Sequence, residues 1–131
     1  MAAGTLTMRL LLDTHVLLWL MEESPRLSAS AHSQLVSASA VYVSSASIWE
    51  IAIKSRLGKM EDPEIVVEQL ESAGLKELQV TNRHATATAR LPLLHRDPFD
   101  RLLVAQAIVE TMHLLTADAR LAAYSDLVLV I

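Results

Sequence analysis

Cysteine is absent from this 131-residue chain. That excludes disulfides, thiolate metal sites and a cysteine nucleophile, and it suits a reducing cytoplasm. Aromatic residues are scarce, 4% against 52% hydrophobic overall, so a core has to be built mainly from Leu, Val, Ile and Ala. Glycine occurs three times and proline four, and no low-complexity tract, linker or internal repeat divides the chain. A surplus of positive charge is missing too: 11 Lys and Arg face 15 Asp and Glu, a net charge of −4. This argues against a simple electrostatic nucleic-acid binder, but not against an enzyme whose own site is a nest of acids. Long uncharged apolar runs are also lacking. Leu10–Met21 carries Asp13 and His15 and is too short to span a bilayer. It follows no basic region and ends at no small-residue cleavage site, so neither a membrane anchor nor a signal peptide is expected. The length suits one domain over residues 1–131, with 1–7 as a loose leader and Met8 as an alternative start.

What is present alternates. Short apolar runs at Arg9–Leu12, Val41–Val43, Leu78–Val80, His113–Thr116 and Leu127–Ile131 read as strands. Between them, 15–21, 28–39, 44–57, 63–72, 81–91 and 98–110 read as helical, and 119–124 as a helical turn. Gly58 follows the third of these helices in the usual C′ place, and Pro92 halts the fifth. Strand and helix in alternation, with strands apolar on both faces, predict an α/β fold. The expected architecture is a three-layer α/β/α sandwich around a mostly parallel sheet of four to five strands.

The organising stretch is Leu91–Gln106, LPLLHRDPFDRLLVAQ. Asp97 stands at an N-cap and Pro98 at the first helical position, where its missing N–H does no harm. Asp100 falls in the first turn, where the helix dipole favours negative charge. Capping alone explains Asp97. It does not explain why the other isolated acids fall in matching places. Asp13 directly follows the first strand, Asp118 lies two residues beyond the fourth, and Glu50 is in the first or second turn of the helix after Val41–Val43. In an open parallel sheet all four reach the carboxyl edge, where ligands bind. Each acid also has a local explanation: Asp13 and Asp118 can cap helices, and Glu50 can close a capping box with Ser47 or pair with Lys54. Converging carboxylates repel one another unless a cation is present. With no thiolates available, the chemistry points to Mg²⁺ or Mn²⁺.

Four segments carry a resemblance. MRLLLDTH at 8–15, SIWEIAIK at 47–54, HRDPFDR at 95–101 and LTAD at 115–118 resemble, in order, the motifs of the PIN-domain family. More narrowly they resemble the VapC-like toxins of bacterial toxin–antitoxin pairs. The resemblance covers nearly the whole chain from Met8 onward. It implies a Mg²⁺- or Mn²⁺-dependent ribonuclease with Asp13, Glu50, Asp100 and Asp118 as its acidic pocket and metal ligands, and Asp97 as an auxiliary acid. It further implies inhibition by a cognate antitoxin, commonly a homodimer, and a cytoplasmic setting.

Thr14 and Thr116 adjoin pocket acids, where a hydroxyl can orient a carboxylate, although a local backbone hydrogen bond is the commoner use. Lys54, Arg96 and Arg101 are expected to be solvated surface charges rather than RNA contacts. The five histidines show no His-x-x-x-His spacing, so no zinc site is expected. Trp19 and Trp49 can stack on bases, but buried packing on amphipathic helices is the expectation. A non-catalytic module whose pocket receives a partner's arginine is the rival reading. An aspartate-nucleophile phosphatase would want Asp-x-Asp after the first strand, where the sequence has Asp13-Thr14-His15.

Overall fold

The computed structural model describes residues 8–131; the leader expected at 1–7 lies outside them. Five parallel strands form one sheet in the order β3-β2-β1-β4-β5. They are β1 (Arg9–Leu12), β2 (Ala40–Ser44), β3 (Lys76–Leu78), β4 (His113–Thr116) and β5 (Val128–Val130). The helices are α1 (Thr14–Met21), α2 (Ala29–Ser37), α3 (Ser45–Arg56), α4 (Pro63–Ser72), α5 (Asn82–Ala87) and α6 (Pro98–Glu110). Short 3₁₀ turns span Thr88–Arg90 and Ala119–Ala123.

The sandwich follows from the period-two geometry of the central strand. Leu10, Leu11 and Leu12 are all fully buried, yet they serve different cores, because successive side chains leave a strand on opposite faces. Leu10 and Leu12 pack with Val16, Leu17, Ala31, Ile51, Val66 and Leu70. Leu11 packs with Leu103, Val104, Ala107, Met112, Leu114 and Leu121 on the other face. A strand covered on both faces has no polar alternation to display, which is why it reads as an unbroken apolar run.

Three expectations shift. The third strand ends at Leu78, with Tyr42 opposite Lys76 and Ser44 opposite Leu78, rather than beginning there. It is an edge strand carrying Lys76 and Glu77, so its pairing is set by β2 and not by an apolar pattern. The Val80 N–H instead donates to the Ser45 hydroxyl at 3.2 Å. The helix expected over 81–91 ends at Ala87 and tightens into the 3₁₀ turn. Arg101 explains the break: its guanidinium donates to the carbonyls of Thr88 (2.9 Å), Leu91 (3.3 Å) and Pro92 (2.8 Å). Arg101 is therefore a structural clamp and not a free surface charge. Finally, α3 starts early enough for Ser44 to be its N-cap, with its hydroxyl accepting from the Ala46 N–H. The capping box between Ser47 and Glu50 does not form. At the other end of α3, Gly58 takes φ +74°, the left-handed conformation that closes helices and that glycine adopts without strain.

Candidate active site

Parallel strands bring the carboxyl ends of β1, β2 and β4 to one edge, and the N-termini of α1, α3 and α6 meet them there. Asp13 leaves β1 with its N–H still bonded to Leu115 O at 3.1 Å. Its side chain then caps α1, Oδ1 accepting from the Val16 N–H at 2.9 Å. The capping reading therefore holds, for a carboxylate that is only 6% exposed.

The two threonines do more than satisfy local backbone. Thr116 donates to Asp13 Oδ2 from the end of β4 while accepting the Asp118 N–H at 3.0 Å. Thr14 lies 2.7 Å from Glu50 Oε1 and 3.0 Å from Ser47 Oγ. Glu50 is as buried as Asp13, and its second oxygen meets Lys54 Nζ at 2.8 Å. We expect Thr14→Val to leave Glu50 Oε1 short of its closest donor in a buried setting, destabilising the protein by about 1–3 kcal/mol. A thermal melt checks this, and an unchanged melting temperature would remove Thr14 from the network.

Asp100 and Asp118 are joined by a residue to which the sequence reasoning gave no role. His95 Nε2 lies 2.9 Å from Asp100 Oδ2 and 3.9 Å from Asp118 Oδ2. One nitrogen or oxygen donor from each of these residues falls within 4.8 Å of the others. The sequence signal was present in HRDPFDR, but a search for paired histidines passes over a histidine that works with acids. Tyr124 fixes it in place: the His95 N–H donates to the Tyr124 hydroxyl at 2.8 Å, which also receives Arg101 Nη1 at 3.2 Å. Asp97 caps α6, accepting from the N–H groups of Phe99 (2.8 Å) and Asp100 (3.1 Å).

The four acids are not electrostatically equivalent. Burial pushes the Asp13 carboxyl above its ordinary range despite the Thr116 and Val16 hydrogen bonds, and Glu50 adds repulsion. Burial likewise raises Asp100, which His95 partly offsets and which the charges of Asp97 and Asp13 raise further. Asp118 is held below its ordinary value, chiefly by hydrogen bonds from Arg120, whose Nε and Nη2 grip it at 3.0 and 2.8 Å. Lys54 is raised by its bond to Glu50. So two acids carry their own cations, while among the described residues no Lys or Arg pairs with Asp13, Asp97 or Asp100.

Trp49 corrects an expectation. It is 62% exposed, packed edge-on against Phe99 with ring centroids 5.4 Å apart, and it belongs to no core. Trp19, by contrast, sits against the larger core.

The sequence model of the PIN domain matches residues 10–127. The chain belongs to the PIN domain family. No curated protein matches it significantly, but solved structures do. A chain of VapBC2 from Rickettsia felis, solved bound to a DNA fragment from its promoter, superposes with a TM-score of 0.69 at 16% identity. The match covers 95% of this chain and 98% of that one. DNA-bound VapBC from Salmonella typhimurium gives 0.67 at 15% identity, over 95% and 98%. VapBC-1 from nontypeable Haemophilus influenzae gives 0.63 at 19%, over 89% and 92%. At such identities the likeness is one of fold, and it extends to the five-stranded parallel sheet of this PIN domain. No helix among the described residues is long and apolar enough to cross a membrane.

Proposed function

We propose that this PIN domain is a VapC-like toxin: a cytoplasmic, metal-dependent endoribonuclease restrained by a cognate antitoxin. The observation that carries the reading is two carboxylates at one sheet edge, Asp13 buried and Asp100 half-buried, both pushed toward protonation and neither matched by a Lys or Arg. Such a pair is costly as it stands and favourable around a cation. The donor set, carboxylate oxygens with one imidazole near by, suits Mg²⁺ or Mn²⁺ rather than a soft metal.

Asp13 and Asp100 would be the principal ligands, with Glu50 and Asp118 completing the pocket. Bound there, the ion would supply an activated water and neutralise charge on phosphate oxygens. The chain's own residues prepare the place. Thr116 fixes the Asp13 rotamer, Thr14 and Lys54 fix Glu50, and Asp97 anchors the first turn of α6 that bears Asp100. Lys54 and Arg120 stand at the rim, each coupled to the charges of Asp97 and Asp100, where a phosphodiester would meet positive charge before the acids. The likeness to VapBC complexes supports an antitoxin as partner, and the motif resemblance adds a homodimer.

The test is incubation with total RNA in Mn²⁺, Mg²⁺ or EDTA. Cleavage is expected with either metal and none with EDTA. Absence of cleavage under every condition, in folded protein freed of antitoxin, would sink the ribonuclease reading. A second reading has its own observation. Arg120 already seats a guanidinium on Asp118 in two-point fashion, so the pocket can accept a partner's arginine in a module without catalysis. RNA cleavage that depends on Asp13 excludes that reading as the whole function.

A further inference from the structure

A tryptophan left in solvent forgoes a large apolar burial, so an exposed one calls for an explanation that a buried one does not. Trp49 follows the site closely: it precedes Glu50 on α3, and its ring meets Phe99, which precedes Asp100 on α6. The pair thus bridges the two helices that each deliver an acid. The edge-on contact to Phe99 restrains the indole while leaving most of it in solvent. Further along the same helix, Lys54 places an ammonium on Glu50.

We propose that Trp49, backed by Phe99, is a stacking platform for an unpaired base of the RNA strand whose phosphodiester meets the acidic centre. This rests on the ribonuclease reading above and adds what that reading lacks, a residue that selects single strands. Every base has a π-face, so such a platform is tolerant of sequence, but a base held in a duplex is not free to stack. The competing occupants are proteins, the antitoxin proposed above or a second copy of the chain, since Ile53 and Leu57 are also exposed further along α3. Those three side chains fall well short of the ~800 Å² per partner that a stable interface buries.

The chain has two tryptophans, so Trp19→Phe makes Trp49 the sole reporter. In that background, with Asp13→Asn to keep RNA intact, fluorescence is titrated with three probes. They are a single-stranded oligoadenylate, an abasic strand of equal length, and an RNA duplex. Quenching by the first alone is expected. In parallel, Trp49→Ala in the active protein should raise KM for single strands about 5- to 100-fold with kcat little changed, and Trp49→Phe should restore most of the loss. Equal quenching by the abasic strand, or unchanged KM in Trp49→Ala while wild type still cleaves RNA, would overturn the platform and leave the ribonuclease reading standing. Trp49 fluorescence that follows protein concentration without RNA, with Trp49→Ala turning a dimer into a monomer, would assign the surface to a second copy instead. Neither quenching nor cleavage by any variant would overturn both.

Discussion

Asp13→Asn should reduce metal-dependent RNA cleavage at least ~100-fold while leaving the protein folded. The magnitude follows from its place: loss of a group that merely supports a ligand already weakens metal sites about 10- to 100-fold, and Asp13 is proposed as a ligand itself. Folding should survive because asparagine reproduces the structural half of the role. Its amide oxygen can still cap α1 through the Val16 N–H, and its amide nitrogen can donate to Thr116 Oγ1. Removing a buried charge that Glu50 and Asp100 repel should even stabilise the metal-free protein. Asp100→Asn should be comparably inactive. Glu50→Gln should lose less, because Thr14 and Lys54 already occupy both of its oxygens. Rates on a fluorescent RNA with Mn²⁺, beside circular dichroism of each variant, make the comparison. Undiminished cleavage by both Asp13→Asn and Asp100→Asn, with contaminating nuclease excluded, would remove these residues from the mechanism.

How much of this was legible in the sequence depended on how local the cause was. The strands β1, β2 and β4 and the long helix α6 announce themselves through unbroken apolar runs and an Asp-Pro cap, and they stand where expected. The displaced β3 and the shortened fifth helix have causes elsewhere in the chain. One is pairing with Tyr42–Ser44, the other a guanidinium from Arg101 that lies on α6. The first lies outside any local window, and the second is 9 to 13 residues on but acts through a side-chain reach that periodicity does not register. The same holds for Trp49. Its helix is amphipathic, but which residues the core needs is settled by where α1 and α4 pack, and Ile48 and Ile51 take the inward places.

At the site, topology was legible and pairing was not. Placing Asp13, Glu50, Asp100 and Asp118 on one edge needs only a parallel sheet. Which acids own a cation needs side-chain reach. Lys54 serves Glu50 from one turn away, Arg120 bends back on Asp118, and Asp13 and Asp100 have neither. His95 is the clearest case. It precedes the cap of α6 in a loop, and the hydroxyl of Tyr124, 29 residues on, holds its backbone where the ring meets Asp100.

That asymmetry of charge predicts how metal, pH and stability should combine. Asp13 and Asp100 have folded-state pKa values raised above the ordinary 3.8. For an acid so shifted, the stability it contributes is fully present below the unfolded value and is lost as pH rises through the folded one. In EDTA these two groups should therefore make the protein more stable as pH falls from 7.5, past 5.5, toward their raised folded-state values. Asp118 works in the opposite direction, but its lowered value places its loss below about pH 4, outside this window. Bound metal reverses the sign for Asp13 and Asp100, because it favours their ionised forms and protons then compete with it. With free Mn²⁺ at about 100 times its Kd, linkage gives roughly 2.7 kcal/mol, on the order of 10 °C in melting temperature for a domain of this size. Melts at both pH values, with Mn²⁺ or EDTA, should show that gain at pH 7.5 and a smaller one at pH 5.5. The same melts on Asp13→Asn isolate the pocket's contribution from that of the rest of the chain. A Mn²⁺ shift of equal size in Asp13→Asn would mean that the ion binds elsewhere and that the two uncompensated acids do not hold it.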